Sequence, residues 1–209
     1  MPLAAAVAGW VLVSSFPQGQ LYRSADRNAP AMALRAEGRI DAPPWAVAEV
    51  LMNGWLHPGV MPHLLERRVV AAELCQAGAG DLPGCRRVWV YERYRPPLAG
   101  DRDYTYRIEV AHDHLADGGG FAFTWELDDQ RGPPPPPGVV RMRFNKGGWW
   151  LSPDHQATRY GYRIAVDPGG SVPAWLVNLA NKGKVPEIVA AVEEAARRLV
   201  QRRAAASPP

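Results

Sequence analysis

This sequence of 209 residues lacks most of the signals that mark catalysis, metal binding or a membrane span. It has only two cysteines, too few for a disulfide framework or a structural zinc site. It has no apolar run of about 18 residues, so no transmembrane helix is predicted. A Walker loop and a G-x-S-x-G elbow are both absent, which argues against a P-loop phosphate site and a serine-hydrolase nucleophile.

Lysine is also scarce, because the 24 basic residues include only Lys146, Lys182 and Lys184. The remaining basic residues are arginines, and the net charge is only +3. These arginines are spread along the chain and alternate with acidic residues. Nucleic-acid binding needs basic residues gathered on one face, so no nucleic-acid partner is expected.

The five histidines do not form a convincing metal site. His112 and His114 would share one face at the end of a strand, but a solvated turn beside Asp113 and Asp117 is the simpler explanation. His63 could lie at the mouth of a cavity or on the ordinary surface. We therefore expect neither a bound metal nor a cofactor.

Glycine and proline are abundant, with 20 and 21 residues, and they separate runs of alternating hydrophobicity. Such runs, divided by turn residues, are typical of an antiparallel meander. The predicted strands are Gly9–Ser15, Gln20–Ala25, Met32–Ile40, Leu65–Cys75, Cys85–Arg95, Arg102–Asp113, Phe121–Asp129, Gly138–Pro153 and Ala157–Pro168.

Two segments have helical character. The first begins after Asp41, a predicted N-cap, with Pro44 in its first turn. The second runs over Pro173–Arg203, where apolar residues recur at helical spacing. Gly183 and Pro186 are predicted to kink or break this long helix.

These elements predict an α+β fold in which a curved antiparallel sheet wraps around the long C-terminal helix. The space between such a sheet and one helix is a natural ligand cavity. We expect an N-terminal arm over residues 1–8, one domain over 9–203 and a disordered tail over 204–209.

Three stretches, taken together, resemble one known family. The first is RAEGRIDAPPWAVAEVL at Arg35–Leu51, followed by MPHLLERRVV at Met61–Val70. The second is Arg102-Asp103-Tyr104 at the head of a strand. The third joins GGWWLSP at Gly147–Pro153 to YRIAVDPGGSVPAWLVNLANKGKVPEIV at Tyr162–Val189. Their order and spacing are similar to those of bacterial-type START domains, which are lipid-transfer domains of the helix-grip, or Bet v 1-like, superfamily.

This resemblance covers about Gly9 to Leu199 and implies a lipid-binding protein without catalysis. It implies a monomer that holds one hydrophobic molecule in its cavity and contacts membranes transiently to transfer it. Two departures are visible. The family's usual N-terminal helix is missing or short, and Ile108 stands where the family often has an inward arginine, with Arg107 beside it. Sterol specificity therefore does not carry over.

The candidate ligand-binding residues are mainly aromatic residues of neighbouring strands. We expect at least one in-register set to line the cavity, although these residues could also fill a solid core. Glu92 could face inward or outward. The candidates are Trp89, Tyr91, Glu92, Tyr104, Tyr106, Arg107, Phe123, Trp125, Tyr160, Tyr162, Leu176 and Leu179.

Three residues before the long helix are a candidate gate: Gly169, Gly170 and Pro173. Consecutive glycines allow backbone angles closed to other residues, so this junction could be a hinge. A tight strand-to-helix turn is the simpler alternative.

Cys75 and Cys85 end and begin consecutive strands, so they would oppose each other on an antiparallel pair. Sequence alone leaves the bridge open. We expect a cytoplasmic protein, or a periplasmic or exported one if the bridge forms or if the true start lies upstream.

Two other functions remain open. A helix-grip enzyme, such as a polyketide cyclase or hydrolase, would use acid–base groups in the cavity. Its candidates are Glu92, Tyr104, Tyr106, Arg107 and His63. A ligand-sensing interaction module would instead use the terminal helix or the five prolines at 133–137.

Overall fold

A computed structural model describes residues 9–26, 32–53, 63–75, 85–96, 100–170 and 174–206. For Met32, His112 and residues 174–182 it describes only the backbone. The predicted arm at 1–8 and the last three residues lie outside the described residues.

The described residues form ten strands and two α-helices, and the predicted strands are confirmed with small shifts of their ends. The run predicted over 138–153 is two strands, because its first residues pair in parallel with another strand. The elements are β1 (Trp10–Phe16), β2 (Gly19–Ser24), β3 (Met32–Ile40), α1 (Pro44–Met52), β4 (Leu64–Cys75), β5 (Cys85–Tyr94), β6 (Arg102–Asp113), β7 (Phe121–Leu127), β8 (Val140–Arg141), β9 (Phe144–Asp154), β10 (Ala157–Asp167) and α2 (Ala174–Ala206).

All ten strands belong to one sheet, in the order β1-β2-β3-β10-β9-β7-β6-β5-β4, with β8 paired to β6. The strands from β4 to β10 form the expected meander. The last strand, β10, then pairs antiparallel with β3, which joins the three N-terminal strands to the end of the meander. This pairing makes a single curved surface that holds α2 on one side.

The sheet has an inner face toward α2 and an outer face, because successive side chains on a strand point to opposite faces. Leu34, Ile40, Val88 and Phe121 are among the buried apolar residues of the sheet. From α2, the buried side chains are Val185, Val189, Val192, Ala195 and Ala196, which recur every three or four residues. The α+β helix-grip arrangement predicted from the sequence is thus the observed one.

The first helix begins later than predicted. Its N-cap is Pro43 rather than Asp41, and no side chain caps it. Pro44 occupies the first turn of the helix. An N–H at this position would have no hydrogen-bond partner within the helix, so the absence of an N–H in proline costs no hydrogen bond. The prolines therefore set the start of α1.

The sequence predicted a kink or a break of the long helix at Gly183 and Pro186. The structure has no break there, because α2 is continuous from Ala174 to Ala206. Buried Val185 and Val189 hold both sides of the proline against the sheet, which offsets the backbone hydrogen bond that it cannot make. Residues 204–206, predicted as tail, form the last turn because alanine is the strongest helix former. None of the helices in the described residues is long and apolar enough to cross a membrane.

Covalent and polar contacts brace the outer parts of the sheet. Cys75 and Cys85 face each other in the β4–β5 ladder and form a disulfide. The proline loop lies on the outer face, where Arg141 Nη2 donates to the carbonyl of Pro133 at 2.8 Å. A Cβ atom on Gly132 would lie 1.9 Å from Thr105 Oγ1, so this loop fits closely against β6.

Candidate ligand cavity beneath the C-terminal helix

A cavity lies between the inner face of the sheet and α2. It has two adjoining lobes of about 100 Å³ each, which share Glu92, Tyr104, Asn145, Tyr162, Ile164 and Ile188. The first lobe extends toward α1 and is also lined by Val50, Leu51, Arg67, Tyr106, Ile108, Phe123, Trp125 and Trp149. The second extends along α2 and is also lined by Leu64, Tyr94, Met142, Val166, Lys184 and Val185.

Strand periodicity explains why these residues meet. Glu92 and Tyr94 alternate on β5, and Tyr104, Tyr106 and Ile108 alternate on β6, so all five face the same side. The β5–β6 register places Glu92 directly opposite Tyr104. The inward-facing side chains of β5 and β6 therefore form one continuous wall of the cavity.

Glu92 is the centre of a buried polar cluster. Its side chain is 2% exposed, and its carboxylate accepts hydrogen bonds from both tyrosines of β6: from Tyr106 at 2.8 Å on Oε1 and from Tyr104 on Oε2. Arg67 Nε lies 3.2 Å from Oε1. The open question of which way Glu92 faces is thus answered: it faces inward, with the donors that a buried carboxylate requires.

Arg67 reaches Glu92 because β4 is irregular. Register shifts occur between Leu64 and Glu66 and between Val69 and Ala71, and in the segment between them Arg67 is paired with Glu92. On β6, Ile108 stands where START domains often have an inward arginine. The structure instead supplies a buried arginine from the opposite neighbour of β5.

Burial and charge shift the pKa values of Tyr104, Tyr106 and Arg67 in this cluster. Burial raises the pKa of Tyr104 well above its ordinary value, and the charge of Glu92 adds to this effect. Burial likewise raises the pKa of Tyr106 strongly, although Arg67 opposes it. Burial disfavours the charge on Arg67, yet Tyr106 and Glu92 together raise its pKa above the ordinary value. Both tyrosines are therefore neutral donors and Arg67 stays cationic.

Two further polar features line the cavity walls. The indole Nε1 of Trp125 donates to Asn145 Oδ1 at 2.9 Å, so this pair is internally satisfied. Lys184 of α2 lies over the ring of Tyr94, with its Nζ 4.9 Å from the ring centre. The rest of the lining is aromatic or aliphatic.

The structure brings half of the predicted ligand-binding residues into this cavity. These are Glu92, Tyr104, Tyr106, Phe123, Trp125 and Tyr162. Tyr160 is buried beside Trp149 but does not line either lobe. The side chains of Leu176 and Leu179, and the predicted gate residue Pro173, lie outside the described residues.

Trp89, Tyr91 and Arg107 do not belong to this site, because they lie on the outer face. Trp89 Nε1 and Arg107 Nη1 both bind Asp128, at 2.8 and 3.2 Å. The hydroxyl of Tyr91 donates to Asp103 at 3.3 Å. Trp89 and Arg107 thus hold the loop after β7 against the sheet, whereas Tyr91 binds a residue of β6.

Sequence reasoning missed several lining residues. Tyr94 follows Glu92 by two positions, so strand alternation alone would have found it. Lys184 stands four residues before Ile188, on the apolar side of the helix, which is also a readable signal. Arg67 gave no signal, because the bulges that direct it inward cannot be read from its spacing.

The predicted gate glycines have unusual backbone angles. Gly169 has φ of +68° and Gly170 has φ of +70°, both in the left-handed region. The N–H of Gly169 donates to Asp167 Oδ1 at 2.9 Å, which ties the turn to the end of β10.

The groups proposed for acid–base chemistry are only partly together. Glu92, Tyr104 and Tyr106 meet in the cavity, whereas His63 is exposed and Arg107 is on the outer face. In the part of the chain that the structure describes, no cluster of His, Cys, Asp or Glu could hold a metal ion.

A larger depression of about 440 Å³ lies on the outer face, partly lined by Trp10 and Trp150. Of its charged side chains, Lys146 pairs with Glu126 at 2.9 Å and Arg107 with Glu109 at 3.3 Å, while Arg163 lies over the ring of Trp150. It is an open groove rather than a cavity between sheet and helix, so the inner cavity is the stronger candidate.

The fold is that of START domains. A STAR-related lipid transfer protein from Xanthomonas axonopodis superposes with a TM-score of 0.74 at 23% identity, covering 90% of this chain and 99% of that one. Human STARD10 gives a TM-score of 0.78 at 16% identity, covering 97% and 78%. Human StAR-related lipid transfer protein 5 gives 0.73 at 16%, covering 93% and 89%. No family model matches the chain, and no curated protein matches it in sequence.

Proposed function

We propose that this protein binds one hydrophobic, lipid-like molecule between its sheet and α2 and carries it between membranes. The observation that carries the proposal is a cavity whose walls are aromatic and aliphatic except for a few placed polar groups. Such a lining desolvates an apolar molecule and orients its polar end. The similar solved structures named as lipid-transfer proteins support the same reading.

The Glu92 cluster is the proposed polar anchor. Its tyrosines are neutral and its carboxylate is paired, so it can exchange hydrogen bonds with a ligand hydroxyl or carbonyl without leaving a charge unpaired. The apolar body of the ligand would then contact Phe123, Trp149 and Ile188.

The cavity is small for a lipid. Two lobes of about 100 Å³ each fall below the range of roughly 300–1,000 Å³ that is common for ligand pockets. Binding therefore requires α2 or its neighbouring side chains to move outward. A single-chain molecule needs less movement than a two-chain phospholipid.

The direct test combines ligand identification with transfer. Native mass spectrometry of the purified protein should show one co-purifying lipid-sized adduct, and the protein should accelerate movement of a fluorescent fatty acid between vesicles. Ile188→Trp fills the shared wall of both lobes and should abolish both signals. Ala190→Trp, on the exposed side of the same helix, is the matched control and should retain them. Full transfer by the Ile188→Trp protein would contradict the proposal.

An enzyme is the second candidate, because a buried Glu92 with two tyrosine hydroxyls is also a plausible proton-transfer group. The same mass spectra discriminate the two functions. A carrier returns its ligand with unchanged mass, whereas an enzyme converts it.

We also propose a monomer that contacts membrane surfaces transiently and takes no nucleic acid.

We further propose that the protein works in an oxidising compartment, such as a periplasm. Disulfides persist mainly in such compartments, and the Cys75–Cys85 bridge supports this placement.

A further inference from the structure

Lys184 is a cation inside the cavity that forms no ion pair within the described residues. Its side chain lines the second lobe and is half-buried against the ring of Tyr94. No ion pair joins it to a carboxylate of the described residues. Every acidic residue of the chain belongs to those residues except Asp81, which lies in sequence between the bridged cysteines. Glu187, three residues further along α2, is the acidic residue whose charge acts on Lys184, but the two side chains form no ion pair.

The charges on the described lining do not balance. Three ionisable side chains with a formal charge line the lobes: Arg67, Glu92 and Lys184. Arg67 neutralises Glu92 at 3.2 Å. Lys184 then leaves the cavity with one net positive charge.

A second buried cation increases this positive character. Arg102 is 4% exposed, and its Nε has no hydrogen-bond partner among the described residues. Its Nη2 lies beneath Gly170, 3.4 Å from where a Cβ atom would stand. Its charge also acts on Tyr94, the ring that Lys184 covers. The end of the cavity beside Tyr94 is thus bordered by two cations.

A ligand that fills the second lobe would remove water from Lys184. Burial lowers the pKa of this lysine, and the charge of Glu187 opposes the shift only in part. A neutral ligand would leave this charge desolvated and unpaired, at a cost in free energy. An anionic group would form a charge-assisted hydrogen bond there and neutralise the site.

We propose that the ligand carries an acidic head group, a carboxylate or a phosphate monoester, that pairs with Lys184 at the Tyr94 end of the cavity. This rests on the proposed function and names the class of molecule that the same cavity takes. The apolar chain of the ligand then runs along Tyr162 and Ile188 into the first lobe.

The test compares decanoate, decyl phosphate and 1-decanol by isothermal titration calorimetry, because these molecules share one chain and differ in the head group. The native protein should bind at least one of the two anions about tenfold or more tighter than decanol. The anion with the higher affinity identifies the head group as a carboxylate or a phosphate.

Variants then assign the preference to Lys184. Lys184→Met should remove the preference by weakening anion binding about tenfold while decanol affinity stays the same. Lys184→Arg keeps the charge and should keep the preference. Lys146→Met, on the outer face, is the matched control and should bind all three molecules like the native protein. Thermal melts of each variant verify that the fold is intact.

Two outcomes would overturn the proposal. Equal binding of decanol and both anions by native protein, or an undiminished preference in Lys184→Met, means that the lysine simply extends to solvent along Tyr94. In that case the proposed lipid-binding function still stands. Failure of all three molecules to bind the native protein would overturn the lipid-binding function as well.

Discussion

Glu92 and Arg67 are two opposite charges held away from water at the wall of a cavity, with side-chain exposures of 2% and 7%. Such a pair adds little net stability over apolar residues of similar size, but breaking it is costly. Its stability contribution alone does not account for such a pair, which fits the anchor role proposed above.

Removing one partner of this pair should destabilise the protein strongly. Glu92→Leu leaves Arg67 buried without its carboxylate and should lower the free energy of unfolding by about 3–5 kcal/mol. The double variant Arg67→Met with Glu92→Leu should recover most of this loss, because no charge remains uncompensated. Urea denaturation of the native, single and double variants measures both effects. A double variant as unstable as the single one would contradict this account of the pair.

The cavity tyrosines should make the protein sensitive to alkali. Burial raises the pKa of Tyr94 to about 12 and those of Tyr104 and Tyr106 well above the ordinary value. Since the folded-state pKa exceeds the unfolded one, the stabilisation is complete below about pH 10 and is lost as pH rises through the folded values. The slope should approach about 1.4 kcal/mol per pH unit for each such tyrosine.

Urea unfolding at a series of alkaline pH values measures this slope, and tyrosinate absorbance follows the titration itself. Tyr106→Phe should reduce the slope of unfolding free energy against pH by the contribution of one tyrosine. Tyrosines that all ionise near pH 10 in the folded protein would show that the cluster is accessible to water.

The Cys75–Cys85 disulfide can be tested directly, and the result bears on the cellular location of the protein. Unreduced native protein should contain no titratable thiol, since both cysteines of the chain form the bridge. Replacing both by alanine should lower the free energy of unfolding by roughly 2–3 kcal/mol, the chain-entropy value for such a short loop. Two thiols in unreduced protein would remove the support for an oxidising compartment.

At the scale of elements, the junction between β10 and α2 determines how the helix is presented to the sheet. Gly169 is the more constrained of its two glycines, because a Cβ atom there would lie 2.9 Å from the carbonyl oxygen of Arg141. At Gly170 the nearest atom is the flexible end of Arg102, 3.4 Å away. Both have positive φ, so alanine at either position is strained.

The two alanine variants separate a hinge from a simple turn. If the glycines are a hinge, Gly169→Ala with Gly170→Ala should slow exchange of a fluorescent fatty acid between vesicles more than it changes equilibrium affinity. The strain itself should cost about 1–2 kcal/mol per residue in unfolding free energy. Gly183→Ala is the control, since nothing lies within 4 Å of a Cβ atom there. Unchanged exchange in the strained variant would make the junction a turn only.

At the scale of the whole molecule, the sequence predicted the sheet and its wrapping around α2 because turn residues and a period of two are local signals. The assignment of faces was less successful. Tyr91 and Glu92 are neighbours on one strand and cannot both face the cavity, so including both was an error that alternation could have prevented. The loop that covers Trp89 on the outer face, through Asp128 and Arg131, is a tertiary contact and had no sequence signal. The same holds for the β4 bulges that direct Arg67 inward.

The whole fold also predicts where a ligand enters. The cavity lies between the sheet and α2, so a ligand must pass either between these two layers or through a loop at the end of the sheet. Val185 on α2 and Val166 on β10 line the same lobe, which makes them suitable sites for a covalent link. Cysteines at both positions, joined by a bifunctional maleimide, would pin the helix while the native disulfide protects the other two cysteines.

The pinned protein should retain ligand loaded before the reaction and should transfer it between vesicles far more slowly than the same variant left unlinked. Circular dichroism of the linked and unlinked forms verifies that the link leaves the fold unchanged. The physical reason is that α2 cannot leave the sheet, so the two layers stay closed around the ligand. Transfer at an equal rate by both forms would instead place the entrance at the loops around 96–101 or 133–137, and the helix would be a fixed wall of the cavity rather than its door.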